Sequence, residues 1–124
     1  MQKILICDDE ANIRNIMDFS LEAEGFLAVS AEDGNSALQA AMTEEPDLII
    51  LDVMMPGADG LTVCRELKQN PRTRHIPVLM LSARAGKGDR EAGLAAGAEE
   101  YVTKPFSPQR IVDKVNEMLG VKRT

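Results

Sequence analysis

Three carboxylates, one hydroxyl and one ammonium group stand at the ends of short strand-like runs in this sequence. They belong to Asp8, Asp9, Asp52, Ser82 and Lys104. Carboxylate oxygens are ligands that Mg²⁺ prefers, and several carboxylates in one pocket repel one another unless positive charge offsets them. Lys104 supplies one such charge, and a divalent cation would supply more. A carboxylate nucleophile, a metal ion and a lysine together suit phosphoryl transfer onto an aspartate.

The runs that precede these residues have the lengths and compositions of β-strands. Those at 4–7, 48–51 and 78–81 are apolar throughout, which is typical of strands covered on both faces in a parallel sheet. The five predicted strands are Lys3–Cys7, Leu27–Ala31, Leu48–Leu51, Val78–Leu81 and Tyr101–Thr103.

Segments with a helical spacing of apolar residues separate the strands. The five predicted helices are Ala11–Glu24, Asn35–Glu44, Gly60–Gln69, Gly86–Ala96 and Pro108–Leu119. Gly25 ends the first helix, and Ser107 caps the last one. The fourth helix is the weakest, because Gly86, Gly88 and Gly93 each cost about 1 kcal/mol relative to alanine inside a helix. An alternative places Gly86 and Gly88 in the preceding loop.

This alternation predicts one α/β domain, a flavodoxin-like, doubly wound (βα)5 fold with a five-stranded parallel sheet in the order 2-1-3-4-5. Ligands of such sheets bind beyond the carboxyl ends of the strands, where the strand order reverses. The first and third strands are neighbours at that point. We therefore expect Asp8, Asp9 and Asp52 to lie close together.

Composition and missing motifs exclude several other classes of function. The chain has 124 residues, a net charge of −6 and a single histidine, His75, in a predicted surface turn. An acidic domain without a basic stripe is not expected to bind nucleic acid directly. A single histidine argues against a zinc site or a histidine-based triad. The sequence also contains no G-x-x-x-x-G-K-[ST] phosphate-binding loop.

The sequence further indicates a cytoplasmic protein that does not interact with membranes. No apolar stretch approaches the length of a transmembrane helix, and the apolar run at 4–7 is too short for a signal peptide. Cys7 and Cys64 are therefore expected to stay reduced, without a disulfide.

Four segments carry a family resemblance. They read ILICDDE at 4–10, LDVMMPGADG at 51–60, LSAR at 81–84 and GAEEYVTKPF at 97–106. With these segments in this order and spacing, the chain resembles from end to end the receiver domain of bacterial two-component response regulators.

The resemblance implies which residues would accept the phosphoryl group and which would bind the metal ion. Asp52 would be the phosphoacceptor. Asp9, Asp52 and the backbone carbonyl of Met54 would bind Mg²⁺ directly, with Mn²⁺ as a substitute. Asp8 would act mostly through metal-bound water.

The resemblance also implies which groups hold the phosphoryl oxygens. These are the Lys104 ammonium, the Ser82 hydroxyl and the backbone N–H groups of Ala83 and Met54. The Lys104–Pro105 peptide bond would be cis.

A switch follows from the same resemblance. Phosphorylation would draw the Ser82 hydroxyl inward, and Tyr101 would follow into the vacated space. The surface formed by the fourth helix, the fifth strand and the fifth helix would then change, a population shift between two packings. From the residues alone, Tyr101 could be an ordinary half-exposed strand aromatic. The implied partners are a sensor histidine kinase or phosphotransfer protein and a downstream effector domain or protein.

The expected domain covers residues 1–120, with 121–124 as a C-terminal tail or the start of a linker. We expect a monomer or a weak dimer through the surface of the fourth helix, fifth strand and fifth helix. The resemblance implies that Arg90 and Arg110 stand where an oppositely charged pair would support that dimer, and like charges oppose it. Glu100 and Lys114 could still pair.

Two other functions fit parts of the pattern. The chain is expected not to be a metabolic enzyme, and to catalyse only its own phosphorylation and dephosphorylation. A metal-dependent phosphatase with an aspartyl nucleophile would typically have Asp-x-Asp, and here Met54 takes the second position. A pseudo-receiver that acts only as a binding module would have lost Asp9, Asp52 or Lys104, and all three are present.

Overall fold

Five strands and five helices alternate along the chain. A computed structural model describes residues 1–120. The strands are β1 (Lys3–Cys7), β2 (Leu27–Ala31), β3 (Leu48–Asp52), β4 (Val78–Ser82) and β5 (Glu100–Thr103). The helices are α1 (Ala11–Ala23), α2 (Gly34–Glu44), α3 (Gly60–Gln69), α4 (Lys87–Ala95) and α5 (Pro108–Leu119). The predicted tail at 121–124 lies outside the described residues.

The predicted elements are confirmed, with small differences at their ends. β3 and β4 each run one residue further than predicted, so Asp52 and Ser82 are the last residues of buried strands. The parallel pairing continues through both of them, with Asp52 opposite Leu81 and Ser82 opposite Thr103. The predicted strands end one residue early because an apolar pattern stops at the first polar side chain. The backbone hydrogen bonds of the sheet do not depend on side-chain polarity and continue past it.

The five strands form one parallel sheet in the order β2-β1-β3-β4-β5. This order confirms the predicted flavodoxin-like, doubly wound α/β fold. Cys7 of β1 lies opposite Leu51 of β3, so the two strands end at the same edge. The strand order reverses between β1 and β3, which is where such folds bind ligands.

Alternate side chains of the central strands fill two hydrophobic cores, one on each face of the sheet. Leu5 and Ile49 belong to the core that also contains residues of α2 and α3. Ile4 and Ile50 belong to the opposite core, with residues of α1 and α5. Burial on both faces explains why these strands are apolar throughout.

A glycine allows α3 to begin close to the end of β3. The Gly60 N–H donates to the Val53 carbonyl at 2.8 Å, and a Cβ at this position would collide with the carbonyl of Asp52. The Asp59 side chain caps the helix by accepting from the Thr62 N–H at 2.9 Å. The Asp59-Gly60 pair thus shapes the loop that follows Asp52.

The three glycines of the predicted fourth helix occupy different environments. Gly86 is the N-cap of α4, whereas Gly88 and Gly93 lie within the helix. The loop alternative is therefore right for Gly86 and wrong for Gly88.

The cysteines and the helices bear on the environment of the chain. Cys7 and Cys64 are free thiols, and both are buried. Within residues 1–120, no helix has the length and apolar character needed to cross a membrane.

Candidate functional site

A cleft of about 660 Å³ opens at the carboxyl ends of β1, β3, β4 and β5. Its walls include the predicted site residues Asp9, Asp52, Met54, Ala83 and Lys104. Asp8 and Ser82 are also at these strand ends, with fully buried side chains. The structure thus brings the predicted acidic, hydroxyl and cationic groups to one edge of the sheet.

Lys104 links the two buried aspartates. Its ammonium donates to Asp8 Oδ2 at 3.0 Å and to Asp52 Oδ2 at 3.2 Å. Burial acts to lower the pKa of Lys104, but the hydrogen bond to Asp8 and the charges of Asp52 and Asp8 outweigh it and raise the pKa. Lys104 therefore stays charged at neutral pH and offsets part of the repulsion between the carboxylates.

Asp52 is only 4% exposed, at the floor of the cleft. Its Oδ1 accepts from the Met54 N–H at 3.2 Å. Burial raises the pKa of this carboxyl, and the neighbouring charge of Asp8 raises it further, although Lys104 and the Met54 N–H act in the opposite direction. The negative charge of Asp52 is therefore only partly offset by its protein partners.

An acidic cluster beside Asp52 has the composition of a Mg²⁺ site. Carboxylate oxygens of Asp8, Asp9 and Glu10 lie within 4.8 Å of one another, Asp8 buried and the other two exposed. Mg²⁺ takes oxygen ligands and usually keeps several waters, so this donor set fits the ion. Asp52 is not in this cluster. Its carboxylate instead contacts Lys104 and the Met54 N–H.

Glu10 is a member of the acidic cluster that sequence reasoning left out. The Glu10 N–H donates to Asp8 Oδ1 at 2.9 Å, in the tight turn between β1 and α1. The turn brings three consecutive acidic side chains together. The signal in the sequence was their adjacency, but adjacency alone does not say on which side of the turn each carboxylate lies.

Arg84 connects Ser82 to Tyr101. The Arg84 N–H donates to Ser82 Oγ at 3.0 Å, and the Arg84 carbonyl accepts from the Tyr101 hydroxyl at 2.8 Å. The Ser82 hydroxyl is thus engaged with the loop that follows it. One residue of the β4–α4 loop joins the hydroxyl at the site to the aromatic ring of β5.

Tyr101 is 4% exposed and lies under α4, so it is not a half-exposed strand aromatic. A Cβ at Gly93 would lie 2.7 Å from Tyr101 Cδ2, which shows how closely the helix approaches the ring. The Tyr101 carbonyl accepts from Arg90 Nη1 at 3.1 Å. The inward movement of Tyr101 on phosphorylation stays a prediction, and in this structure the ring is already buried.

Two expectations concern the backbone at the rim of the cleft. The Lys104–Pro105 peptide bond is cis, as expected. The Met54 N–H, which the resemblance assigns to the phosphoryl group, donates to Asp52, and the Met54 side chain is 52% exposed.

Comparison with known proteins identifies the family. The family described as response regulator receiver domain matches residues 4–116. The chain is 44% identical over 118 residues to the alkaline phosphatase synthesis transcriptional regulatory protein PhoP of Bacillus subtilis, a match that covers 95% of this chain and 48% of the relative.

Two solved structures show the same fold. The chemotaxis response regulator CheY4 of Vibrio cholerae superimposes with a TM-score of 0.91 at 30% identity, covering 96% of this chain and 99% of that one. The receiver domain of sensor histidine kinase PA1611 from Pseudomonas aeruginosa, with a magnesium ion in its active site cleft, gives a TM-score of 0.88 at 29% identity, covering 96% and 98%.

The chain spans about half the length of the PhoP relative, 48%. The match of the family to residues 4–116, the strand order and the acidic edge of the sheet agree. The chain belongs to the response regulator receiver domains, the signalling switches of two-component systems.

Proposed function

We propose that this chain is a phosphorylation-dependent switch that accepts a phosphoryl group onto Asp52, with Mg²⁺ as cofactor and Mn²⁺ as a substitute. The donor would be a phosphohistidine of a sensor histidine kinase or of a phosphotransfer protein. The observation that carries the proposal is the position of Asp52. It is a buried carboxylate at the floor of an open cleft, bonded to a lysine and next to an acidic cluster.

The donor set defines where the ion would be held. Asp8, Asp9 and Glu10 provide clustered carboxylates, and Asp52 and the Met54 carbonyl would complete the ligands. When bound, Mg²⁺ neutralises negative charge that develops on the transferring group.

The residues of the chain carry out the rest of the transfer. An oxygen of Asp52 attacks phosphorus as the phosphorus–nitrogen bond of the donor breaks, and the leaving imidazole takes up a proton from solvent. Lys104, which contacts Asp52 at 3.2 Å, offsets the charge of the phosphoryl group. The Ser82 hydroxyl and the N–H groups of Ala83 and Met54 would donate to its oxygens. Most of the catalysis is positioning and charge stabilisation.

The contacts of Arg84 support a route from the site to a partner surface. A Ser82 hydroxyl that turned toward the phosphoryl group would leave the Arg84 N–H, and Arg84 also holds the Tyr101 hydroxyl. The β4–α4 loop and Tyr101 would then adjust together under α4. Phosphorylation in this way would favour one of two packings of the α4–β5–α5 surface.

The proposal includes an activity and a cellular setting. The chain would catalyse only its own phosphorylation and dephosphorylation, in the cytoplasm, and would control an effector domain or a separate partner protein. Lys114 pairs with Glu100 of the same chain at 2.7 Å, and Arg90 donates to the Tyr101 carbonyl. These groups already have partners within the chain, which supports a monomer or a weak dimer through α4–β5–α5.

Intact-mass measurement after incubation with acetyl phosphate tests the proposal. With Mg²⁺, the wild-type chain should gain the mass of one phosphoryl group. Chelation of the metal should abolish the gain, as should D52N. Asp59 also lines the cleft and provides a matched control, because D59N retains a side chain that can cap α3 and should still be labelled. Undiminished labelling of D52N would remove Asp52 from the proposal.

A further inference from the structure

The acidic cluster contains one carboxylate without a side-chain partner. Asp8 is held by the Glu10 N–H and by Lys104. Within residues 1–120, the Asp9 carboxylate makes no hydrogen bond or ion pair, and it is exposed. The position of Asp9 therefore depends on the backbone that carries it. Any group that fixes this backbone also fixes a proposed metal ligand.

Arg14 of α1 contacts that backbone directly. Its Nη1 donates to the carbonyl oxygen of Asp8 at 2.7 Å. This carbonyl belongs to the peptide unit that links Asp8 to Asp9, so the hydrogen bond restrains the plane from which the Asp9 side chain projects. Hydrogen bonds from a charged donor are shorter and about twice as strong as neutral ones.

The ion pair of Arg14 with Glu32 is weaker than this hydrogen bond. Arg14 Nη2 lies 3.9 Å from Glu32 Oε2, and the Glu32 side chain is 73% exposed. Exposed ion pairs of this kind contribute little. The Arg14 side chain itself is only 18% exposed, and its Nη1 reaches the turn. A short bond and low exposure mark the Asp8 carbonyl as the main partner of Arg14.

We propose that Arg14 is a positioning residue for the metal site, which holds the Asp8–Asp9 peptide so that the Asp9 carboxylate meets the ion. The inference rests on the proposed function, because it assumes that the acidic cluster binds Mg²⁺. Groups that orient metal ligands typically contribute about 10- to 100-fold in metal affinity.

Replacing Arg14 removes both its positive charge and its hydrogen bond to the Asp8 carbonyl. These two losses predict opposite changes in the affinity for Mg²⁺. Loss of a cation near an acidic cluster leaves the site one charge more negative, which by electrostatics alone would tighten Mg²⁺ binding. Loss of the hydrogen bond frees the peptide and weakens binding. A weaker affinity in a more negative site cannot be a charge effect.

A two-dimensional amide NMR titration with Mg²⁺ measures the affinity and shows that each variant is folded. We expect R14M to bind Mg²⁺ about tenfold more weakly than the wild type. E32Q is the matched control, because it removes the distal ion pair and leaves the Asp8 carbonyl contact in place. The negative charge that it removes is exposed and screened by water and salt, so E32Q should bind Mg²⁺ nearly as the wild type does. Unchanged or tighter binding in R14M would overturn the inference, and so would an equal loss in E32Q.

A second variant covers the case in which R14M does not fold. R14K keeps the charge, but its chain ends one bond earlier and it presents a compact ammonium in place of the planar guanidinium. If Arg14 positions the peptide, R14K should bind Mg²⁺ more weakly than the wild type. If only the charge of residue 14 matters, the affinity should not change. Wild-type affinity in R14K would therefore count against the inference. A wild-type chain that does not bind Mg²⁺ at all would instead contradict the proposed function, which keeps the two failures distinguishable.

Discussion

At the residue scale, the site depends on how three charged groups share a buried position. Lys104 contacts both Asp8 and Asp52, yet the pKa of Asp52 is still raised, first by burial and then by the Asp8 charge. Ionised Asp52 therefore destabilises the folded chain relative to a neutral side chain of the same shape. A carboxylate kept at such a cost is typical of a functional group, since a structural role would not need its charge.

Replacement of Asp52 by asparagine should therefore stabilise the protein. The asparagine side chain retains an oxygen that can accept from the Met54 N–H, and Lys104 retains Asp8 as a partner. We expect D52N to increase the free energy of unfolding by about 1 kcal/mol at pH 7 without metal, since a buried charge next to Asp8 is removed. Urea denaturation in a chelating buffer measures this.

The effect has a defined pH dependence. The pKa of Asp52 is higher in the folded than in the unfolded chain, so the folded chain favours the protonated carboxyl. The stabilisation from this preference is full below the ordinary pKa of about 3.9, and it is lost as pH rises through the pKa of the folded chain. The advantage of D52N should therefore shrink as the pH falls toward about 4. D9N is the control, because exposed Asp9 should change stability by less than about 0.5 kcal/mol. A D52N variant less stable than the wild type at pH 7 would contradict this reading.

Some residues of the site could be found from the sequence and others could not. Asp52 and Lys104 stand at strand ends, and parallel strands that end together fix where such residues meet. Glu10 and Arg14 act through the shape of the β1–α1 turn and the reach of a long side chain. Neither property is encoded in a periodic pattern.

At the scale of elements, the packing of α4 on β5 depends on a missing side chain. Gly93 faces the Tyr101 ring and the Met80 sulfur, and an added Cβ would lie 2.7 Å and 2.9 Å from them. Gly88 lies in the same helix, and apart from its chain neighbours and the backbone of α4 no atom lies within 4 Å of its added Cβ. Helix propensity predicts that both glycines weaken the same helix, because propensity does not include the contacts that a helix makes with the rest of the fold.

The two glycines should consequently respond in opposite directions to alanine. G88A should stabilise the chain by up to about 1 kcal/mol through helix propensity. G93A gains the same propensity but overpacks α4 against Tyr101, so we expect a net loss of about 1–3 kcal/mol. Urea denaturation followed by circular dichroism compares them.

Tyrosine fluorescence provides a local readout for the same pair of variants. The sequence contains one tyrosine and no tryptophan, so the signal reports Tyr101 alone. G93A should change the native-state emission, whereas G88A should not. Equal stabilisation by both alanines, with unchanged emission, would show that α4 does not pack on Tyr101 as the structure has it.

At the scale of the whole molecule, the fold was largely predictable. Three apolar strands, helical periods between them and turn residues at their ends all indicate the same doubly wound sheet, and agreement across levels is what specifies a structure. The burial of Tyr101 was not predictable from the residues alone, because it depends on how closely α4 packs on β5, and no periodic pattern encodes that distance.

The central claim is that Asp52 carries the phosphoryl group, and chemical trapping tests it most directly. Borohydride reduces an acyl phosphate to an alcohol but leaves free carboxylates intact, so a phosphorylated aspartate becomes homoserine. After incubation with acetyl phosphate and Mg²⁺, peptide mass spectrometry of the reduced chain should find homoserine at position 52 and at no other aspartate. Homoserine at position 8 or 9, or none in a chain whose intact mass shows a phosphoryl group, would contradict the account.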